Sequence, residues 1–142
     1  MSVTPSMDLP ADGVWRHSFD TAVGGGGRVN PGLGRADAFV RFMDEEGVPP
    51  DRVTVAVVVH DDAIADVVDA ERREADTGTP DNPNVELVER ILAAGGEIWV
   101  CGRAAEAQGV GDDDLLPGVR FAPSAMIANA ELQRRGFSLN PY

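Results

Sequence analysis

The run Val53-Thr54-Val55-Ala56-Val57-Val58-Val59, closed by His60, is β-branched and almost continuously apolar. A strand with one wet face alternates apolar and polar residues. This one does not, so both of its faces must be covered, as happens in a parallel sheet with helices on either side. A second apolar run, Glu97-Ile98-Trp99-Val100-Cys101, ends at Gly102 and leads into a short helical stretch, about 104–108. Between the two runs, Asp61 to about Arg73 reads as a helix with Ile64, Val67 and Val68 inward. Asn82 reads as an N-cap with Pro83 in the first turn of a further helix. Val85, Val88, Ile91 and Leu92 form its apolar stripe, and Gly95-Gly96 ends it.

Outside this centre the pattern repeats. Upstream, 14–19 reads as a strand, 20–33 as a loop and 34–46 as a helix with Ala36, Phe39, Val40 and Met43 on one side. Downstream, 119–121 reads as a short strand, Ser124 caps a helix running to Arg135, and 137–139 is a last strand. Strands and helices recur with no hairpin signal between them. The expectation is a three-layer α/β/α fold with a mostly parallel, about five-stranded, Rossmann-like sheet. At 142 residues the chain fits one domain, with residues 1–13 as a loose tail carrying Pro5, Pro10 and Gly13.

Composition removes several function classes. The net charge of -12 repels nucleic-acid backbones and anionic lipid headgroups. All twelve basic residues are Arg; without Lys there is no Schiff-base chemistry and no phosphate-binding lysine loop. Gly24-Gly25-Gly26-Gly27 lacks both the Lys-Ser/Thr ending and the GxGxxG spacing of nucleotide loops. Asp112-Asp113-Asp114 lacks the alternating ligands of a calcium loop and reads as a solvated turn. One Cys with His17 and His60 gives no recognised metal spacing, and neither metal nor cofactor is expected. The first residues have no basic head followed by an apolar run, and no stretch is long enough to span a membrane. The expected location is the cytoplasm.

Three chemically useful residues fall at strand ends. His60 closes one strand, Cys101 closes another, and Ser124 follows a third. In a parallel sheet all three lie along the carboxyl edge, where α/β proteins bind ligands. Helix amides, Arg103 and His60 are the available aids to ionisation of the thiol. A single Cys without a resolving partner suits sulfur carriage as a persulfide better than dithiol redox chemistry. A Cys-His hydrolase would need an oxyanion device that the sequence does not display. Each residue also has a plain reading: Cys101 as a small core hydrophobe, His60 as a hydrogen-bonded strand end, Ser124 as a helix cap.

The C-terminal three-quarters resembles the DsrE/DsrF-like family of small sulfur-metabolism proteins over roughly 34–140. The likeness is carried by Asn84-Val85-Glu86-Leu87-Val88, by Leu92-Ala93-Ala94-Gly95-Gly96 through Cys101-Gly102, and by Leu115-Leu116-Pro117-Gly118-Val119. Pro123-Ser124-Ala125-Met126 and Glu131 to Phe137 continue it. The resemblance implies an α/β/α domain that assembles as a homotrimer or homohexamer. It also implies a cysteine, here Cys101, that takes sulfane sulfur from a donor protein and passes it to an acceptor. His60 is the candidate assisting residue; Gly102, Arg103, Ser124 and Asn84 are the candidate binding residues. The chain departs from the family pattern after Val59, where His60-Asp61-Asp62 stands in place of a glycine and adds negative charge beside the thiol. The alternative is a non-catalytic oligomeric binding or assembly module with a structural cysteine. Helix positions Ala125, Ala128 and Ala130 are expected to pack against a neighbouring copy.

Overall fold

The computed structural model describes residues 2–142. Met1, the first residue of the expected tail, lies outside them. Residues 2–13 form neither helix nor strand and are largely exposed. Five strands make one sheet: β1 (Trp15–Thr21), β2 (Val53–Val59), β3 (Glu97–Cys101), β4 (Arg120–Ala122) and β5 (Ser138–Leu139). Their order is β4-β3-β2-β1-β5, and every pairing is parallel. Five helices complete the fold: α1 (Pro31–Glu45), α2 (Ala70–Thr77), α3 (Val85–Ala93), α4 (Gly102–Gln108) and α5 (Ala125–Arg134). The fold is the expected three-layer α/β/α arrangement.

As its composition requires, β2 is the central strand, and only Thr54 along it is incompletely buried. Val55, Val57 and Val59 join Phe19, Ile98 and Val100 in the larger core. Leu33 and Ala36 of α1 and Leu87, Val88 and Ile91 of α3 close it. Ala56 and Val58 face the other way and meet Ala128 and Leu132 of α5, with Ala122 and Phe137. One face of the sheet is therefore covered by several elements and the other by the ten-residue α5. Ala128, expected at a contact between copies, is buried against its own sheet and Ala125 packs there too. Met126 and Ile127 instead face outward, 82% and 52% exposed.

Several boundaries differ from the sequence reading, each for a local reason. The strand β1 continues to Thr21, and α1 begins at Pro31. Asn30 is its N-cap, accepting from the amides of Gly32 and Leu33, and Pro31 supplies a φ suited to the first turn. The expected helix 61–73 is divided into a 3-10 turn, Asp61–Asp66, and α2. Between them Val67 and Val68 point inward as expected but bond elsewhere. Val67 O accepts from Leu116 N at 2.9 Å, and Val68 forms a bridge with Leu115. Asp69 then caps α2 by accepting from Arg72 N at 2.9 Å. The N-cap position of α3 is Asn84, not Asn82. Asn82 Oδ1 accepts from both the backbone and side-chain nitrogens of Asn84 and folds the approach to the helix.

These loops converge on a buried polar network. Asp66 and Arg73 pair at 3.0 Å with side chains 2% and 4% exposed. The second Asp66 oxygen accepts from Gly25 N at 2.8 Å and Asn30 Nδ2 at 2.9 Å. Arg73 also donates to the carbonyls of Ala65 and Asp81. Asn30 N donates to Asn84 Oδ1 at 2.7 Å, and Thr21 Oγ1 donates to Asn30 Oδ1. Replacing Arg73 by Leu leaves Asp66 buried without its counter-charge. The expected cost is about 3–5 kcal/mol of folding stability, measured by urea unfolding.

Candidate functional site

Register brings two of the expected residues together. Val59 pairs with Val100, so His60 and Cys101 stand side by side one position further, where β2 and β3 end. Alternation places both on the α5 side of the sheet. Trp99 packs in the core beneath α5, and Cys101 pairs with Ala122 of the same core. Cys101 is a free, buried thiol, 7% exposed, that stands outside the two main apolar clusters. It occupies the N-cap position of α4 and makes no side-chain cap bond. The next residue can only be small. A Cβ on Gly102 would stand 2.8 Å from the carbonyl oxygen of Ala122, so glycine lets β4 approach the start of α4.

The remaining expected residues take different places. Ser124 Oγ accepts from Ile127 N at 3.1 Å, the helix-cap role. Arg103 is exposed and makes no hydrogen bond or ion pair among the described residues. Asn84 is fully buried in the polar network on the opposite side of the sheet, its oxygen holding Asn30 N. The structure thus groups Cys101, His60 and Gly102, with Ser124 following the adjacent strand, and sets Asn84 apart.

Sequence reading missed Asp20 and Asn129. His60 Nε2 lies 2.8 Å from Asp20 Oδ2, and His60 Nδ1 lies 3.2 Å from Asp61 Oδ2. Asp20 Oδ1 also accepts from Asn129 Nδ2 at 2.9 Å, which ties the strand end to α5. Burial lowers the affinity of His60 for a proton, but the hydrogen bond and charge of Asp20, joined by those of Asp61, outweigh it. The pKa is raised above its ordinary value. With carboxylates at both nitrogens, the protonated ring is favoured and neither nitrogen is left free to serve as a base for the thiol. The one signal of Asp20 in the sequence was an acid at the far end of a strand; nothing local linked it to a helix 109 residues away.

The DsrE/DsrF-like family profile matches residues 35–140. The chain belongs to the DsrE/DsrF-like family. No curated protein matches it. Among solved structures it is similar to MTH1491, a protein of unknown function from Methanobacterium thermoautotrophicum. That likeness has 16% identity and a TM-score of 0.60, and covers 89% of this chain and 97% of that one. At that identity the likeness concerns the fold alone. Among the described residues no helix of this DsrE/DsrF-like chain is long and apolar enough to cross a membrane.

His60 binds its proton more tightly in the folded chain than in the unfolded one. The resulting stabilisation is complete below about pH 6.5 and is lost as pH rises through the raised folded-state value. Asp20→Asn should move the His60 titration down, followed by NMR of the imidazole protons, and flatten the loss of stability above about pH 6.5. An unmoved titration would contradict the assigned pairing.

Proposed function

We propose that Cys101 carries sulfane sulfur as a persulfide. The observation that carries this reading is the place of the thiol: at the carboxyl edge of a parallel sheet, beside the end of β2 at His60, with no cap bond occupying it. Membership of the DsrE/DsrF-like family supports it, since the sulfur-relay members use a cysteine that Cys101 resembles in position.

The step balances without an added oxidant. The Cys101 thiolate attacks the outer sulfur of a donor persulfide, R–S–SH. An S–S bond forms to Cys101, the donor S–S bond breaks, and R–S⁻ leaves with the electron pair. An acceptor thiolate then attacks the outer sulfur and regenerates the Cys101 thiolate. His60, held by Asp20 and Asp61, has both nitrogens engaged and contributes positive charge beside the site when protonated, rather than proton abstraction. Arg103, exposed and without a partner among the described residues, is free to meet an anionic donor or acceptor. Gly102 allows close approach of the backbone, and Ser124 holds the N-terminus of α5. Asn84 takes no part in this step; it holds the Asn30 cap of α1 on the other side of the sheet.

The second reading, a binding or assembly module with a structural cysteine, is favoured by the 7% exposure of Cys101. The two readings diverge in one experiment. Intact mass after treatment with a persulfide donor should show the gain of one sulfur in the native chain and none in Cys101→Ser. An unmodified native chain, labelled by a thiol reagent only after denaturation, would establish the structural reading instead.

Assembly as a homotrimer or homohexamer is part of the same proposal. Met126 and Ile127 project from α5 beside a groove of about 160 Å³ lined by Trp99, Phe121 and Leu132. Light scattering at micromolar concentration should give the mass of a trimer or hexamer, and Met126→Glu with Ile127→Glu should reduce it to one chain. A single-chain mass for the native protein would refute the assembly.

A further inference from the structure

A large cavity lies away from Cys101, above the buried Asp66–Arg73 pair. It measures about 970 Å³ and opens to solvent. Its floor includes Asp66 and Arg73, and the glycine loop, with Gly24, Gly26 and Gly27, forms one wall. The loop after α2, with Thr77, Thr79 and Asp81, forms another, and Asp62 stands on the rim.

Two features specify what would fit. The first is a donor that faces the solvent of the cavity without a protein partner. Arg73 is 4% exposed, and its Nε and Nη1 are committed to the carbonyls of Asp81 and Ala65 and to Asp66. Its remaining nitrogen, Nη2, has no partner among the described residues, on a side chain that lines the cavity. The charge of Arg73 is already balanced by Asp66, so Nη2 calls for an acceptor without demanding an anion. The second is an excess of carboxylate. The side chains of Asp62 and Asp81 are exposed and make no ion pair or hydrogen bond among the described residues, so the cavity carries two uncompensated negative charges. Among the described residues no three His, Cys, Asp or Glu side chains are grouped to hold a metal ion. The complementary charge is therefore that of an organic cation. Val23, Ala65 and Pro83 supply apolar contact for its carbon skeleton.

We propose that this cavity binds a small organic cation that also carries a hydrogen-bond acceptor, the chemistry of a basic amino acid or an amino sugar. The acceptor meets Arg73 Nη2 at the floor and the ammonium group lies between Asp62 and Asp81. The turn closed by Arg28 N donating to Gly25 O at 3.1 Å, with φ of +60° and +90° at Gly26 and Gly27, keeps side chains out of the entrance. The site uses neither Cys101 nor His60 and stands whether or not the thiol carries sulfur.

The test is titration calorimetry with L-lysine and D-glucosamine as probes, beside norleucine, glucose and cadaverine. Lysine, glucosamine or both should bind saturably with a Kd on the order of 0.1–1 mM, and whichever binds identifies the ligand chemistry. Norleucine and glucose, which lack the added ammonium group, and cadaverine, which lacks the acceptor, should bind at least about tenfold more weakly. Asp62→Asn with Asp81→Asn should weaken binding by about tenfold or more. Asp112→Asn with Asp113→Asn, on a separate acidic turn, should leave it unchanged, as should Cys101→Ser. Absence of saturable binding by both probes up to about 10 mM would overturn the proposal. Equal loss in the two acidic double variants would also overturn it, since that is the response of a generally negative surface.

Discussion

The pairing of Asp66 with Arg73 is the constraint on which the upper part of the molecule depends. Each charge has been taken out of water, and neither would be tolerated there without the other. The pair does not act alone. Asp66 spends its second oxygen on Gly25 and Asn30, and Asn30 in turn caps α1 and leans on Asn84 at the head of α3. Three connections that are remote in sequence are thereby fixed relative to one another at the carboxyl edge of the sheet. The ordering of those connections leaves the large cavity between them and holds α1 and α3 over the main core.

The opposite side of the sheet is organised differently. A single helix, α5, covers it, and polar side chains finish what apolar packing does not. Arg120 stacks over Trp99 with its guanidinium carbon 4.2 Å from the ring centroid, and Arg135 and Trp99 both bond Glu97. At the upper end of the same face, Asp20 joins His60 to Asn129. The thiol of Cys101 stands at this junction, between a charged cluster on one side and the close approach of Gly102 to β4 on the other.

Much of the architecture was legible because burial on both faces leaves an unmistakable composition. Val53–Val59 and Glu97–Cys101 read directly as interior parallel strands, and the stripe on α3 was visible at helical spacing. The misreadings share one cause: side chains that cap or bond across long sequence separations. Asn30 and Pro31 did carry an N-cap signal, but the glycine run before them suggested loop throughout. Val67 and Val68 were correctly placed inward, yet their backbones bond the 114–116 segment, which no local period can show. For the site, placing His60 and Cys101 on one edge followed from strand order. Asp61 stands next to His60 in the chain, but the pairing with Asp20 did not follow, because Asp20 reaches His60, and Asn129 reaches Asp20, only through the folded sheet. Asn84 was singled out within a recognisable motif, and its role there is burial and support of the α1 cap.

Both borders of the sheet are abbreviated. On one side β5 contributes two residues, and His17 reaches across to the Ser138 carbonyl to fasten it; on the other β4 contributes three, with Arg120 exposed among them. Long, flat borders recruit strands from other molecules, and short ones interrupted by charge do not. Self-association of this chain by sheet continuation is thus disfavoured by construction.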